Sequence, residues 1–376
     1  MRSSEIFEKF IEENGLYPVF GNPGTTEIPM LRNIKNYYLT LHDSLSVAMA
    51  EGRSDFTGKP SVVNLHSLPG ISNSMAFIYS AFKNRSPIII TAGQQDRRHL
   101  FYDPLLSGEQ IPMVDGYVKY AYEIREINEI PLAMRRAAEI AMEPPMGPVF
   151  LSFPMDLMDG TGNYKDEKPF YYDHEVTDEK STKEIADRIN ESKKIAIVYG
   201  YEIDAFGGYA EASKFADYLN AAFFTESWPS RSVIDKENPH YYGNLPMTAA
   251  GINLALRDFD LVLFIGGDIF IYPYTQADPL SGKECIFIGF DLTHRTGKSY
   301  SMNPVSFMRS AIKYINPKTS FERKKLPEPA VASDILKRAA RHFSDYSIVD
   351  EAVTASAAVQ RYLGNIPKGY FASKAG

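Results

Sequence analysis

Three short stretches place reactive side chain types just after apolar runs. Gly21-Asn22-Pro23-Gly24-Thr25-Thr26-Glu27 follows Tyr17–Phe20, Leu41-His42-Asp43 follows Tyr37–Leu41, and Asn64-Leu65-His66-Ser67 closes Val62–His66. A hydroxyl at Thr25, a carboxylate at Asp43 and an imidazole at His66 on one rim would be acid–base material. The glycines, Gly24 among them, permit close backbone approach to a ligand. Each residue also has a plain alternative. Thr26 could cap a helix in a tight turn, Asp43 could cap the helix starting at Leu45, and His66 could satisfy a loop carbonyl. The glycine-rich turn is neither G-x-G-x-x-G nor a P-loop, since it lacks the lysine. A fourth stretch, Thr91-Ala92-Gly93-Gln94-Gln95, offers two amides that could orient a ligand or only hold a loop.

These residues require strand ends to hold them, and the hydrophobic pattern supplies strands. Residues 1–155 alternate between periods near 3.6 and short apolar runs. Helices are predicted around Ile6–Ile11 (stopped by Gly15), Glu27–Ile34, Leu45–Phe56, Ile71–Phe82 and Leu132–Met142. Strands are predicted at Tyr17–Phe20, Tyr37–Leu41, Val62–His66, Ile88–Ala92 and Val149–Phe153. Repeated βα units mean an α/β domain with a doubly wound, mostly parallel sheet, ligands lying outside the carboxyl ends of its strands. Residues 156–185 are polar and read as a linker. A second α/β block has strands at Ile195–Tyr199, Leu261–Gly267 and Cys285–Phe290, with helices near Ala210–Leu219 and Val305–Ile315. Residues 316–331 read as a second linker. Beyond it, Asp334–His342 and Thr354–Leu363 read as helices, and Tyr346–Val349 and the final GYFAS as strands. That last stretch is too short to close a core of its own.

Composition narrows the class. The 376 residues carry 40 Lys+Arg against 47 Asp+Glu, a net charge of −7, which argues against a nucleic-acid partner. The short basic runs Arg97-Arg98 and Arg323-Lys324-Lys325 read as solvated surface. The one cysteine, Cys285, excludes an internal disulfide framework and fits a cytoplasmic location. It sits in the apolar run Cys285–Ile288 and reads as a buried small hydrophobe. No secretory or transit signal is read in MRSSEIFEKFIEENG, and no apolar run is long enough to span a membrane.

Taken in order, VFGNPGTTEIPML, LTLHDS, NLHSLPGISNSM, TAGQQ and GPVFLSFPMD resemble the thiamine-diphosphate-dependent 2-oxo-acid decarboxylases, and within them the benzoylformate decarboxylases. The similarity runs through the central block into the last segment. It implies a pyrimidine-binding domain at 1–160, a central Rossmann-like domain at 186–316, and the start of a diphosphate-binding domain at 332–376. It implies thiamine diphosphate and Mg²⁺ as cofactors, a small 2-oxo acid as substrate, and active sites between subunits of a homo-oligomer. By position, Thr25 matches a residue contacting the substrate carboxylate, and His66 matches a proton-transfer histidine. Asp43 falls where a glutamate activates the cofactor's pyrimidine, Gly24 lies in the cofactor-side turn, Leu105 and Leu106 match pocket leucines, and Thr354 falls near the diphosphate side.

Three departures qualify this. Asp43 is one methylene short, setting its carboxylate back by about 1.5 Å. In the central block, Phe270-Ile271-Tyr272-Pro273-Tyr274 puts Pro273 where the family has a second histidine, and His240 and His294 lie elsewhere. Tyr272 or Tyr274 could substitute, with a phenol poorly suited to neutral pH. The metal motif, Gly-Asp-Gly followed by Asn-Asn, is absent. The one Gly-Asp pair, Gly267-Asp268, continues Ile-Phe, so no metal ligand is assigned. The expectation is a chain inactive alone. It would be completed by a chain carrying the diphosphate domain, or be a truncated member, or serve as a non-catalytic binding or regulatory subunit.

Overall fold

The computed structural model describes residues 1–165, 172–292, 297–318, 333–342, 346–352, 355–365 and 369–372. The chain divides into two compact units, Met1–Tyr172 and Asp173–Lys374. Thr354, His294, Arg323-Lys324-Lys325 and most of the second expected linker fall outside the described residues.

In the first unit, helix α1 (Ser3–Glu13) leads to β1 (Val19–Gly21), the short α2 (Ile28–Leu31), β2 (Tyr37–Leu39) and α3 (Asp43–Thr57). Then come β3 (Ser61–Leu65), α4 (Ser67–Asn84), β4 (Ile88–Gln94), α5 (Gln110–Val114), β5 (Ala121–Glu123), α6 (Ile130–Met142), β6 (Val149–Pro154) and α7 (Met155–Met158). The sheet order is β2-β1-β3-β4-β6-β5, with every pairing parallel. The strands read as unbroken apolar runs because both faces are covered. Val62 and Ile89 join the core under α1 and α6, while Val63 and Ile90 join the core on the other face with Val47 and Ile78. From β1 the chain runs outward to β2 and then returns to the other side of β1 as β3. The crevice between β1 and β3 is therefore the switch point at which open α/β sheets take ligands.

The second unit repeats the plan. It holds α8 (Glu179–Glu191), β7 (Ile195–Tyr199), α9 (Glu202–Ala205), α10 (Tyr209–Leu219), β8 (Ala222–Thr225), β9 (Tyr241–Asn244) and α11 (Ala249–Leu256). β10 (Leu261–Ile265), β11 (Glu284–Gly289), β12 (Lys298–Ser301) and α12 (Pro304–Ala311) follow. The order is β12-β11-β10-β7-β8-β9, again all parallel. Helix α8 begins inside the stretch expected to be linker. It is polar except for Ile185, Ala186 and Ile189, which are buried together with Thr182. Its N-terminus is capped by Asp178, which accepts from the Ser181 N–H at 2.8 Å.

The last elements, α13 (Ser333–His342), β13 (Ile348–Asp350), α14 (Ser356–Leu363) and β14 (Tyr370–Ala372), form a two-stranded parallel sheet with helices. This piece belongs to the second unit and is tied to the rest of it by hydrogen bonds. Ala372 N–H donates to Ser230 O, Tyr209 Oη to Asn365 O, and the buried Lys236 Nζ to Gln360 O, at 2.8, 2.8 and 2.9 Å.

Candidate functional site at the first switch point

The turn after β1, the start of α3 and the junction of β3 with α4 meet at the carboxyl edge of the first sheet. Asp43 is the first residue of α3 and 5% exposed. It does not cap the helix; His42 does, its Nδ1 accepting from the Ser44 N–H at 3.3 Å. Asp43 instead turns inward, and its Oδ1 accepts the backbone N–H of His66 at 3.1 Å. Its Oδ2 takes no hydrogen bond from the described residues. Gly70 must stay glycine for this arrangement, since a Cβ there would stand 2.6 Å from Asp43 Oδ1.

The next amide, that of Ser67, points to a different carboxylate. Ser67 has φ of 46°, in the left-handed region, which for a residue with a Cβ costs about 1–3 kcal/mol. The bend delivers both its N–H (3.0 Å) and its Oγ–H (3.1 Å) to Glu27 Oε1, which also accepts from Gly93 N–H at 3.1 Å. Glu27 Oε2 accepts from Gly24 N–H at 2.9 Å and meets His66 Nδ1 at 2.9 Å. Glu27 is fully buried and binds three strand-end loops together.

The sequence predicts Glu27 as the first residue of a helix over Glu27–Ile34, where a glutamate is ordinary. Helix α2 begins only at Ile28, with Glu27 at its cap position making no cap bond. Thr26, the expected cap, is a buried turn residue. The available signal was a glutamate directly after a glycine-rich turn, with strand-end N–H groups at Gly24 and Gly93 in need of an acceptor.

Gly24 makes its close approach to the imidazole. A Cβ at Gly24 would lie 2.0 Å from His66 Cε1 and 2.2 Å from Nδ1. The His66 side chain keeps 28% of its surface exposed, and Nε2 has no partner among the described residues. Thr25 is exposed on the same turn. Tyr37 Oη and Asn64 Oδ1 are buried without a hydrogen-bond partner among the described residues. Burial, with Glu27 and Asp43 adding negative charge, pushes the Tyr37 phenol well above its ordinary range, so it stays neutral.

Gln94 takes the plainer of its two roles, holding loop backbone. Its Nε2 donates to Gly108 O at 3.0 Å, and its Oε1 accepts from Gln95 N–H at 2.9 Å. Gly108 in turn packs on Leu68 of α4, which draws the Leu105–Leu106 loop toward the His66 junction. Leu105 is 85% exposed, and Leu106 has φ of 69°. A cavity of about 630 Å³ at the ends of β4 and β5 is lined by Gln94, Asp103, Gln110, Glu123 and Arg125, without either leucine. In the second unit Tyr272 and Tyr274, flanking Pro273, are 67% and 87% exposed.

The donor set fits one end of the cofactor implied by the sequence. Asp43 offers a buried carboxylate with one oxygen uncommitted, as a pyrimidine nitrogen requires. The diphosphate–metal end finds no match: among the described residues no group of three or more metal-ligating side chains comes together.

Residues 1–110 match the family model of the thiamine pyrophosphate enzyme N-terminal TPP binding domain, and residues 182–313 match its central domain. Benzoylformate decarboxylase of Pseudomonas aeruginosa is 30% identical over 300 residues, covering 75% of this chain and 55% of that protein. The chain thus spans about half the length of this relative. A Mycobacterium smegmatis protein assigned as thiamin diphosphate-dependent superposes with a TM-score of 0.94 at 30% identity, covering 100% of this chain and 77% of the other. Benzoylformate decarboxylase from Polynucleobacter necessarius gives 0.91 at 27% identity, covering 99% and 74%. The chain belongs to the thiamine pyrophosphate enzymes.

Proposed function

We propose that this chain contributes the pyrimidine-side half of a thiamine-diphosphate-dependent 2-oxo-acid decarboxylase. One observation carries the reading: Asp43 and His66, matched independently by sequence, are tied to each other at the switch point of the first sheet, with Thr25 exposed beside them. When bound, the cofactor supplies the electron sink for loss of carbon dioxide. Asp43 holds the pyrimidine through its uncommitted oxygen. His66 moves a proton at Nε2, Thr25 meets the substrate carboxylate, and Leu105 and Leu106 present apolar surface to the rest of the 2-oxo acid. The diphosphate and Mg²⁺ are held by residues of another polypeptide or domain, in a homo-oligomer or a mixed complex.

The test is complementation. The chain alone, with cofactor and Mg²⁺, is expected to turn over neither benzoylformate nor pyruvate. Mixed with a chain carrying the diphosphate domain, it is expected to release carbon dioxide from a 2-oxo acid. In that mixture Asp43→Asn keeps the acceptor for His66 N–H, and so the melting temperature, but lowers kcat about 100-fold or more. No turnover by the complemented mixture overturns the proposal.

Pro273, standing where a second histidine is expected, favours an alternative role as a non-catalytic binding subunit. Calorimetry separates the two: tight association with a partner chain without turnover selects the second reading.

A further inference from the structure

Glu27 has five hydrogen-bond partners on two oxygens and no exposure to water. Four of the five are backbone N–H groups or a hydroxyl donating to it. A carboxylate that is ionised can only accept, so its contact with His66 Nδ1 fixes the fifth. Nδ1 must carry the proton. In neutral imidazole only one nitrogen carries hydrogen, so the lone pair is left on Nε2, the atom with no partner among the described residues. The ring is held in this setting: it fills the space that a Cβ on Gly24 would take, and the backbone N–H of His66 is held by Asp43.

We propose that Glu27 is a positioning residue that locks His66 in the Nδ1–H tautomer and so makes Nε2 the single proton-exchanging atom of the site. Nε2 takes up one proton through its lone pair. The ring is then cationic beside the Glu27 carboxylate, and Nε2 releases the same proton to an acceptor while its electron pair stays on nitrogen. Among the described residues Glu27 Oε2 is the one hydrogen-bond partner of the imidazole, so the tautomer is set there. This assignment rests on the proposed role of His66 in proton transfer, but its test does not require turnover.

Glu27→Gln makes a distinctive prediction. A carboxamide has one oxygen and one NH₂. Three donors converge on the Oε1 side (Ser67 N–H, Ser67 Oγ–H and Gly93 N–H) and two on the Oε2 side. The amide oxygen settles on the side with three, and its NH₂ faces His66. Nδ1 must then accept, and the proton moves to Nε2.

The experiment is nitrogen NMR of the full chain labelled with ¹⁵N-histidine at mildly alkaline pH, with His66→Asn identifying the signal. The wild-type chain is expected to show a pyrrole-like Nδ1 and a pyridine-like Nε2. Glu27→Gln is expected to exchange the two, making Nε2–H the major species. An Nε2–H tautomer in the wild-type chain overturns the proposal, as does a Glu27→Gln spectrum identical to wild type. If Glu27→Gln does not fold, the wild-type spectrum decides alone. A wild-type Nδ1–H spectrum beside an inactive complemented enzyme supports the role of Glu27 and removes the decarboxylase reading.

Discussion

Gly24 leaves no room for a side chain at the site. Its missing side chain is the space in which the His66 ring lies, with ring atoms within 2.0–2.5 Å of where a Cβ would stand. Gly24→Ala therefore forces the imidazole out and strips Glu27 of one partner. Denaturant unfolding followed on the first unit should show a loss of about 1–3 kcal/mol, the usual cost of overpacking. The His66 ring signal should also lose its Nδ1–H character. Thr25, Asp43 and His66 were legible because reactive side chains after apolar runs are conspicuous. Glu27 was not legible, because its role depends on three loops that meet only in the folded sheet. The glycine-rich turn was legible as a close approach, but not as one made to the chain's own histidine.

Strand ends differ sharply between the two sheets. In the first unit the switch-point crevice holds His66 with Nε2 open. In the second, the crevice between β7 and β10 is closed: Gly200 and Gly267 meet backbone to backbone, and Glu202 occupies the end of β11. Its carboxylate accepts Phe290 N–H at 3.1 Å and Asp291 N–H at 2.8 Å, the amides an anionic ligand would seek. Burial, opposed by those amides, raises the Glu202 carboxyl to about 7. Between about pH 4.5 and 7 the folded chain then keeps a proton that the unfolded chain has released, so stability falls as pH rises. Lys236, pinned against α14, is lowered to about 7 by burial, with Arg361 adding to it. Between about pH 7 and 10.5 the unfolded chain holds the extra proton, so stability rises with pH. Thermal melts of the second unit should therefore dip near pH 7. Glu202→Gln should flatten the acid side of the dip and Lys236→Met the alkaline side. Of these elements, β7, β10 and β11 were legible as apolar runs of parallel-sheet length. The four-residue β8, β9 and β12 were too short to stand out, and α8 hides four buried positions in a charged segment.

At the scale of the molecule, both units were expected from the alternation of periods, and each closes its own six-stranded parallel sheet. The final α/β piece lies within the second unit and is tied to it through Ala372, Asn365 and Gln360. No helix among the described residues is long and apolar enough to cross a membrane. The chain's one thiol lies in the second sheet. Cys285 sits on β11, 2% exposed, and burial pushes the thiol up to about 12. A thiol so protonated is a poor nucleophile, since the thiolate is the reacting form. Native protein should resist maleimide, while denaturant-unfolded protein should label at one site per chain, a difference that mass spectrometry reads directly. Rapid labelling of the native chain would contradict the burial. Because β11 pairs on both sides within the second sheet, the labelling rate in native buffer becomes a clock for the opening of that sheet, built into the sequence and needing no added probe.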